Sequence, residues 1–174
     1  IEMIDVGGTA LLSAAARNHA GVAAVTGPAA YEQVVAELRA RGSVSAELRQ
    51  RLAAEAFAVV AAYHAQVAAY LNQVTGTTFP PHISIVLEKV ADLAHGENPH
   101  QRAAFYRETT HRDGTLADAT RLQGREPSFN DLLDLDAAWR IAADFAAPTA
   151  VVVRHTDPVG IASDNTLAGA LRRA

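Results

Sequence analysis

Three groups of residues in this sequence combine types that can do chemistry at short spacing. The first is Arg154-His155-Thr156-Asp157-Pro158-Val159-Gly160, which follows the β-branched run over residues 149–153. A strand ending in Arg-His delivers two polar side chains to a carboxyl edge, where open α/β sheets place their ligands. His155 can accept or return a proton near neutral pH. Arg154 supplies a fixed cation suited to an oxyanion or a phosphate. A histidine that merely finishes a strand is an equally good reading of these residues alone.

The second group is His95-Gly96-Glu97-Asn98-Pro99-His100-Gln101. Glycine followed by Asn-Pro describes a tight polar loop whose amides can hold the polar edge of a ligand. An ordinary linker turn has the same composition. His95 and His100 have no third ligand at a metal-binding interval, so no metal site is expected. The third group joins Asp5, Gly7 and Gly8 to Arg17, Asn18 and His19. A Gly-Gly turn opening a helix exposes free amides and a partial positive charge, which suits an anion or a carbonyl oxygen.

The elements that must carry these groups follow from pattern. Residues 9–19 are alanine-rich and predict a helix opened by Gly7-Gly8. The apolar run 22–26 predicts a short strand. Pro28 begins a helix whose Tyr31, Val34, Val35 and Leu38 share one face, and Gly42 stops it. Ser45 caps a long helix to about Asn72, with Leu48, Leu52, Phe57, Val60 and Val67 as its packing positions. Thr-Gly-Thr-Thr-Phe-Pro-Pro at 75–81 cannot continue a helix, so a linker is expected over 76–92 between domains 1–75 and 93–174. Beyond it come a strand near 103–107, a turn-rich segment at 116–124 and a helix over 130–145 with Trp139 facing inward. A buried strand at 149–153 and a last helix at 166–173 finish the chain. The class is α/β, helix-heavy in the first half.

Composition narrows the alternatives. The 174 residues carry 15 basic and 19 acidic side chains, a net charge of −4 that offers no footprint for nucleic acid or anionic membrane. No uninterrupted run of eighteen apolar residues occurs, so no membrane span is expected. Cysteine is absent, which removes thiolate chemistry and disulfides and is compatible with a cytoplasmic location. The chain opens on Ile1 without an initiator methionine, and that end is expected to be a cut. Lys89 is its only lysine, against fourteen arginines.

In order, Ile4-Asp5-Val6-Gly7-Gly8 with Ala14-Ala15-Ala16-Arg17-Asn18-His19, then Gly96 to Gln101, resemble the family of bifunctional AICAR formyltransferase/IMP cyclohydrolases. So do Leu122-Gln123-Gly124-Arg125 with Ser128-Phe129-Asn130, Asp136-Ala137-Ala138-Trp139, and finally Arg154 to Gly160. One such phrase is weak; four in order across nearly the whole chain are specific. The resemblance implies the back half of a methylglyoxal-synthase-like domain over 1–75 and the start of a cytidine-deaminase-like transformylase domain over 93–174. It implies formyl transfer from the co-substrate 10-formyltetrahydrofolate to AICAR, without a metal, and closure of formyl-AICAR to inosine monophosphate (IMP), in a homodimer. By carry-over Asp5 and Arg17 serve ring closure, Arg154 and His155 serve formyl transfer, and Gly7, Gly8, Asn18, His95, Gly96, Asn98, Asn130 and Asp157 contact substrate.

The sequence departs from the family at telling positions. Arginine replaces lysine at 17 and 154. It keeps the cation but cannot release a proton at physiological pH. Ala94-His95 stands where the family has Arg-Tyr. Asp157 replaces asparagine and adds a negative charge two residues from His155, and Val159 replaces cysteine. Two functional readings stay open on these residues: a working enzyme, or a non-catalytic paralogue that binds a purine nucleotide or a partner.

Overall fold

The computed structural model describes residues 1–109 and 114–174. The chain divides into two compact units, 1–86 and 87–174. Together they form a mixed α/β chain, with helices in both units and two small antiparallel sheets in the second.

The first unit is helical. Helix α1 (Gly7–Arg17) packs on the long helix α3 (Ala46–Val74), and a 3-10 turn (Pro28–Ala30) leads into α2 (Tyr31–Arg41). Alanine is the reason α1 and α3 approach closely. Ala16 and Ala56 are fully buried and form one cluster with Ala24 and Ala53. Leu48, Leu52 and Val60 add the larger buried side chains of α3. Gly42 ends α2 in the left-handed region at φ 70°, where a side chain would be strained. Ser45 then caps α3 by accepting the Leu48 amide at 3.2 Å. Glu37 ties the two helices together, accepting the Ser45 amide at 2.6 Å. That bond holds the Glu37 carboxyl below the usual range, with the Ser45 hydroxyl and Arg41 contributing.

Two expectations fail in this unit. Residues 22–26 form no strand, because no other strand is present among the unit's described residues to pair with them. Instead Ala24 plugs the alanine cluster. Phe57, expected to pack, is 47% exposed, since the buried face of α3 runs through Leu48, Leu52, Ala56 and Val60. Moreover, by length and composition α3 is apolar enough to cross a membrane, which a search for uninterrupted runs misses. Ten of its 29 residues are alanine, and Leu48, Leu52, Ala53, Ala56 and Val60 are buried within the unit.

In the second unit β1 (Leu87–Asp92) pairs antiparallel with β2 (Ala104–Glu108), so the last six residues of the expected linker are strand. Strands β3 (Thr149–Arg154) and β4 (Asp157–Ser163) form a second antiparallel pair. Helix α4 (Phe129–Ala143) packs on β3, and α5 (Leu167–Arg173) packs on β3 and β4. Gly160 lets α5 close onto β4, because a Cβ there would stand 2.0 Å from the Ala174 carbonyl oxygen. Strand β3 was expected to be buried; with one neighbouring strand and α4 and α5 packed on it, it is only partly buried, Val152 and Arg154 staying exposed. Trp139 does not face inward. It is 52% exposed, and its indole N–H donates to the Gly114 carbonyl at 2.9 Å.

Candidate functional site

Helix α4 is the organiser of the second unit's candidate residues. Its start is specified by a reciprocal cap: the Ser128 hydroxyl accepts the Asp131 amide, and the Asp131 carboxylate accepts the Ser128 amide at 2.7 Å. Arg125 clasps the same carboxylate through two nitrogens, each at 2.9 Å. The Ser128 amide, then its hydroxyl, then Arg125 hold the Asp131 carboxyl below the usual range.

This capped end is stitched to the glycine loop. The Phe129 amide donates to the His95 carbonyl and the Ala94 amide to the Pro127 carbonyl, both at 3.0 Å. Asn130 Nδ2 donates to the Glu97 carbonyl at 3.1 Å. Inside the loop, Gly96 donates to the Gln101 carbonyl at 2.9 Å, and Gln101 Oε1 accepts the Asn98 amide at 2.8 Å. Gly96 is buried, and a Cβ on it would meet Gln101 Cβ at 2.9 Å. His95, Gly96, Asn98 and Asn130 are therefore brought together.

One turn further along α4, four residues after Asn130 and on the same face, stands Asp134. Its Oδ1 accepts the Thr156 amide at 2.7 Å. That bond reaches the tip of the β3–β4 hairpin, where Arg154 and Asp157 are cross-strand partners around the two-residue turn His155-Thr156. Both turn residues lie in the left-handed region, at φ 53° and φ 66°. This is the handedness that matches two twisted antiparallel strands, but glycine or asparagine normally supplies it. A non-glycine residue there costs about 1–2 kcal/mol, and a β-branched threonine is a true outlier. The phrase was expected to end a strand at the edge of an open sheet. The strand does end at Arg154 and a turn follows, as the residue types imply, but the turn is two left-handed residues long and sends Asp157 directly back along β3 in a two-stranded hairpin.

Arg154, His155 and Asp157 are exposed at this tip, and their side chains enter none of the hydrogen bonds or ion pairs among the described residues. A groove of about 510 Å³ runs between α4 and β3 and has Asp131, Asp134 and Val151 in its wall. A slightly larger groove of about 580 Å³, between β2 and α4, contains none of the predicted site residues.

The first unit treats its candidates differently. Asp5 accepts the Gly8 amide at 2.9 Å and so caps α1, and its own amide donates to the Tyr63 hydroxyl at 2.7 Å. Gly8 is required by this arrangement, since a Cβ would lie 2.2 Å from Asp5 Oδ2. A Cβ on Gly7 would touch only Asp5, at 3.9 Å. Arg17 and Asn18 sit at the far end of the eleven-residue helix α1, exposed. That helix is about 16 Å long, so the structure does not gather Asp5 and Arg17 at one point.

Sequence reasoning missed Asp134, Arg125 and Tyr63. Asp134 was visible only as one of three acidic residues near the start of a helix, and nothing local reveals that it grips a turn 22 residues away.

Residues 15–174 match the family described as the AICARFT/IMPCHase bienzyme, and the chain belongs to that family. It is 44% identical over 185 residues to the bifunctional purine biosynthesis protein PurH of Sorangium cellulosum, which covers all of this chain and 35% of that protein. It is 46% identical to the protein of that name from Myxococcus xanthus and 43% identical to that of Listeria innocua, again over all of this chain and 34% of each relative. The chain thus spans about a third of the length of these curated relatives.

Proposed function

We propose that this protein acts in purine biosynthesis, transferring a formyl group from 10-formyltetrahydrofolate to AICAR and closing the product to IMP. Family membership supports the reaction pair, and one observation supports its location. Helix α4 holds the loop His95 to Gln101 through Asn130 and the His155 hairpin through Asp134, on one face.

In this reading the 5-amino nitrogen of AICAR attacks the formyl carbon. The new C–N bond forms, the bond to the folate nitrogen breaks, and a proton leaves the amine for His155 and returns to the folate. Arg154 holds the oxyanion that develops on the formyl oxygen, a task that needs a cation and no proton transfer. Asn130, Asn98 and the backbone of Gly96 and His95 hold the polar edge of the nucleotide, with Asp157 beside them. Closure then joins the carboxamide nitrogen to the formyl carbon with loss of water, and is assigned to the first unit with Asp5, Gly7, Gly8, Arg17 and Asn18. The first unit is read as part of a methylglyoxal-synthase-like domain and the second as the start of a cytidine-deaminase-like one, in a cytoplasmic homodimer.

The test uses the complete reading frame that encodes this chain. Formyl transfer is compared between the natural protein and His155→Ala. Loss of a positioned proton carrier is worth about 10²–10⁴ in kcat; equal turnover by the two proteins rejects the assignment.

A further inference from the structure

We infer that Asp134 is a positioning residue for formyl transfer, holding His155 at its working place by clamping the strained turn that carries it. The inference rests on the role proposed above for His155. Three observations carry it. The Asp134 carboxylate reaches the Thr156 amide at 2.7 Å across 22 residues of sequence. Thr156 and His155 both occupy left-handed backbone, at φ 66° and φ 53°, with no glycine to make that conformation easy. Beside the ladder pairing of Arg154 with Asp157 that closes the turn, the side-chain bond seen at the tip among the described residues runs from the Thr156 hydroxyl to the His155 carbonyl at 2.6 Å and is local.

A two-residue turn of this composition needs an outside partner to persist, because strained backbone survives only where its surroundings over-determine it. Asp134 supplies that partner from a rigid element. The Ser128–Asp131 cap fixes the start of α4, and Asp134 lies less than one turn beyond Asp131. Release of the Thr156 amide frees the turn to relax toward ordinary φ values, which swings His155 while leaving Asn130 and its loop in place. The expected signature is therefore a fall in kcat without a matching change in the KM for AICAR.

Four variants of the complete protein test this: Asp134→Ala, Asp134→Asn, the double variant Asp134→Ala/Thr156→Gly, and His155→Ala. Displacement of a reacting group by about an ångström costs up to about 10²-fold, so Asp134→Ala is expected to lower kcat about 10- to 100-fold with KM nearly constant. Asparagine keeps an oxygen acceptor and should recover most of the rate. Glycine at 156 takes up φ 66° unaided, so the double variant should also regain rate. Natural kcat in Asp134→Ala, an Asp134→Asn variant as slow as the alanine, or no recovery in the double variant overturns the inference. Should His155→Ala turn over normally, the role of His155 has failed instead. Deuterium exchange of the peptide spanning 151–160 then decides the clamp alone: faster exchange in Asp134→Ala supports it, and unchanged exchange removes it.

Discussion

The carboxylate of Asp134 accepts the backbone amide of Thr156 at 2.7 Å, and this bond couples helix α4 to the tip of the β3–β4 hairpin. Four residues earlier on the same helix, Asn130 donates to the Glu97 carbonyl. One helix face thus carries both attachments, and its own start is defined by Ser128 and Asp131. The candidate site is built from a helix outward: its loop is held by Asn130, and its hairpin by Asp134, a side chain that sequence alone gives no reason to single out.

The start of α4 should make the second unit sensitive to acid. The Asp131 carboxyl is depressed in the folded chain, chiefly by the Ser128 amide. A depressed carboxyl contributes stability that is present above the unfolded value of about 3.9 and is lost as pH falls through the lower folded value. Glu37, Asp92 and Asp164 act in the same direction, through Ser45, Lys89 and Arg173 respectively. Comparison with Asp131→Asn isolates one of them. Denaturant unfolding at pH 7 should show the variant weaker by about 0.5–2 kcal/mol, with the gap closing below pH 4. A gap that stays constant with pH contradicts this account of the cap.

Asp5 has a structural duty that can be separated from a chemical one. Asp5→Ala removes the acceptor for the Gly8 amide and should cost about 1 kcal/mol. Asp5→Asn keeps an acceptor and should leave stability nearly unchanged. On the proposed function, ring closure falls in both variants. If Asp5→Asn is natural in both stability and ring closure, Asp5 is a cap and nothing more.

Arg154 and Asp157 differ from the family's lysine and asparagine, and they are direct cross-strand partners. Opposite charges in such a pair are worth about 0.2–1 kcal/mol, so Arg154 is expected to offset the negative charge that Asp157 adds. A double-mutant cycle with Arg154→Ala and Asp157→Ala, read by unfolding free energy, should give a coupling in that range. Strictly additive effects dismiss the compensation.

Helices were the legible part of this chain. Ser45 and Gly42 mark helix ends by local chemistry, and the observed ends fall close to them, while the helix expected from 130 starts one residue earlier behind a Ser128 cap. The strand near 103–107 and the last helix were likewise readable from residue type. Pairing was not. Residues 22–26 carry a strand's composition but find no partner, while Asp157 to Ser163, for which no strand was expected, form one. That strand exists because His155 and Thr156 adopt left-handed backbone, and neither residue type announces it. For the candidate site, the motifs supplied His95, Gly96, Asn98, Asn130 and His155, since each lies in a short phrase. Asp134, Tyr63 and the bidentate grip of Arg125 depend on contacts between elements, which spacing along the chain does not encode.

The most direct test of the central claim is IMP formation by the complete reading frame supplied with AICAR and 10-formyltetrahydrofolate. Catalytic turnover to IMP is expected, abolished or reduced about 10²-fold or more by His155→Ala. Folded protein that forms no IMP from the two substrates would contradict it.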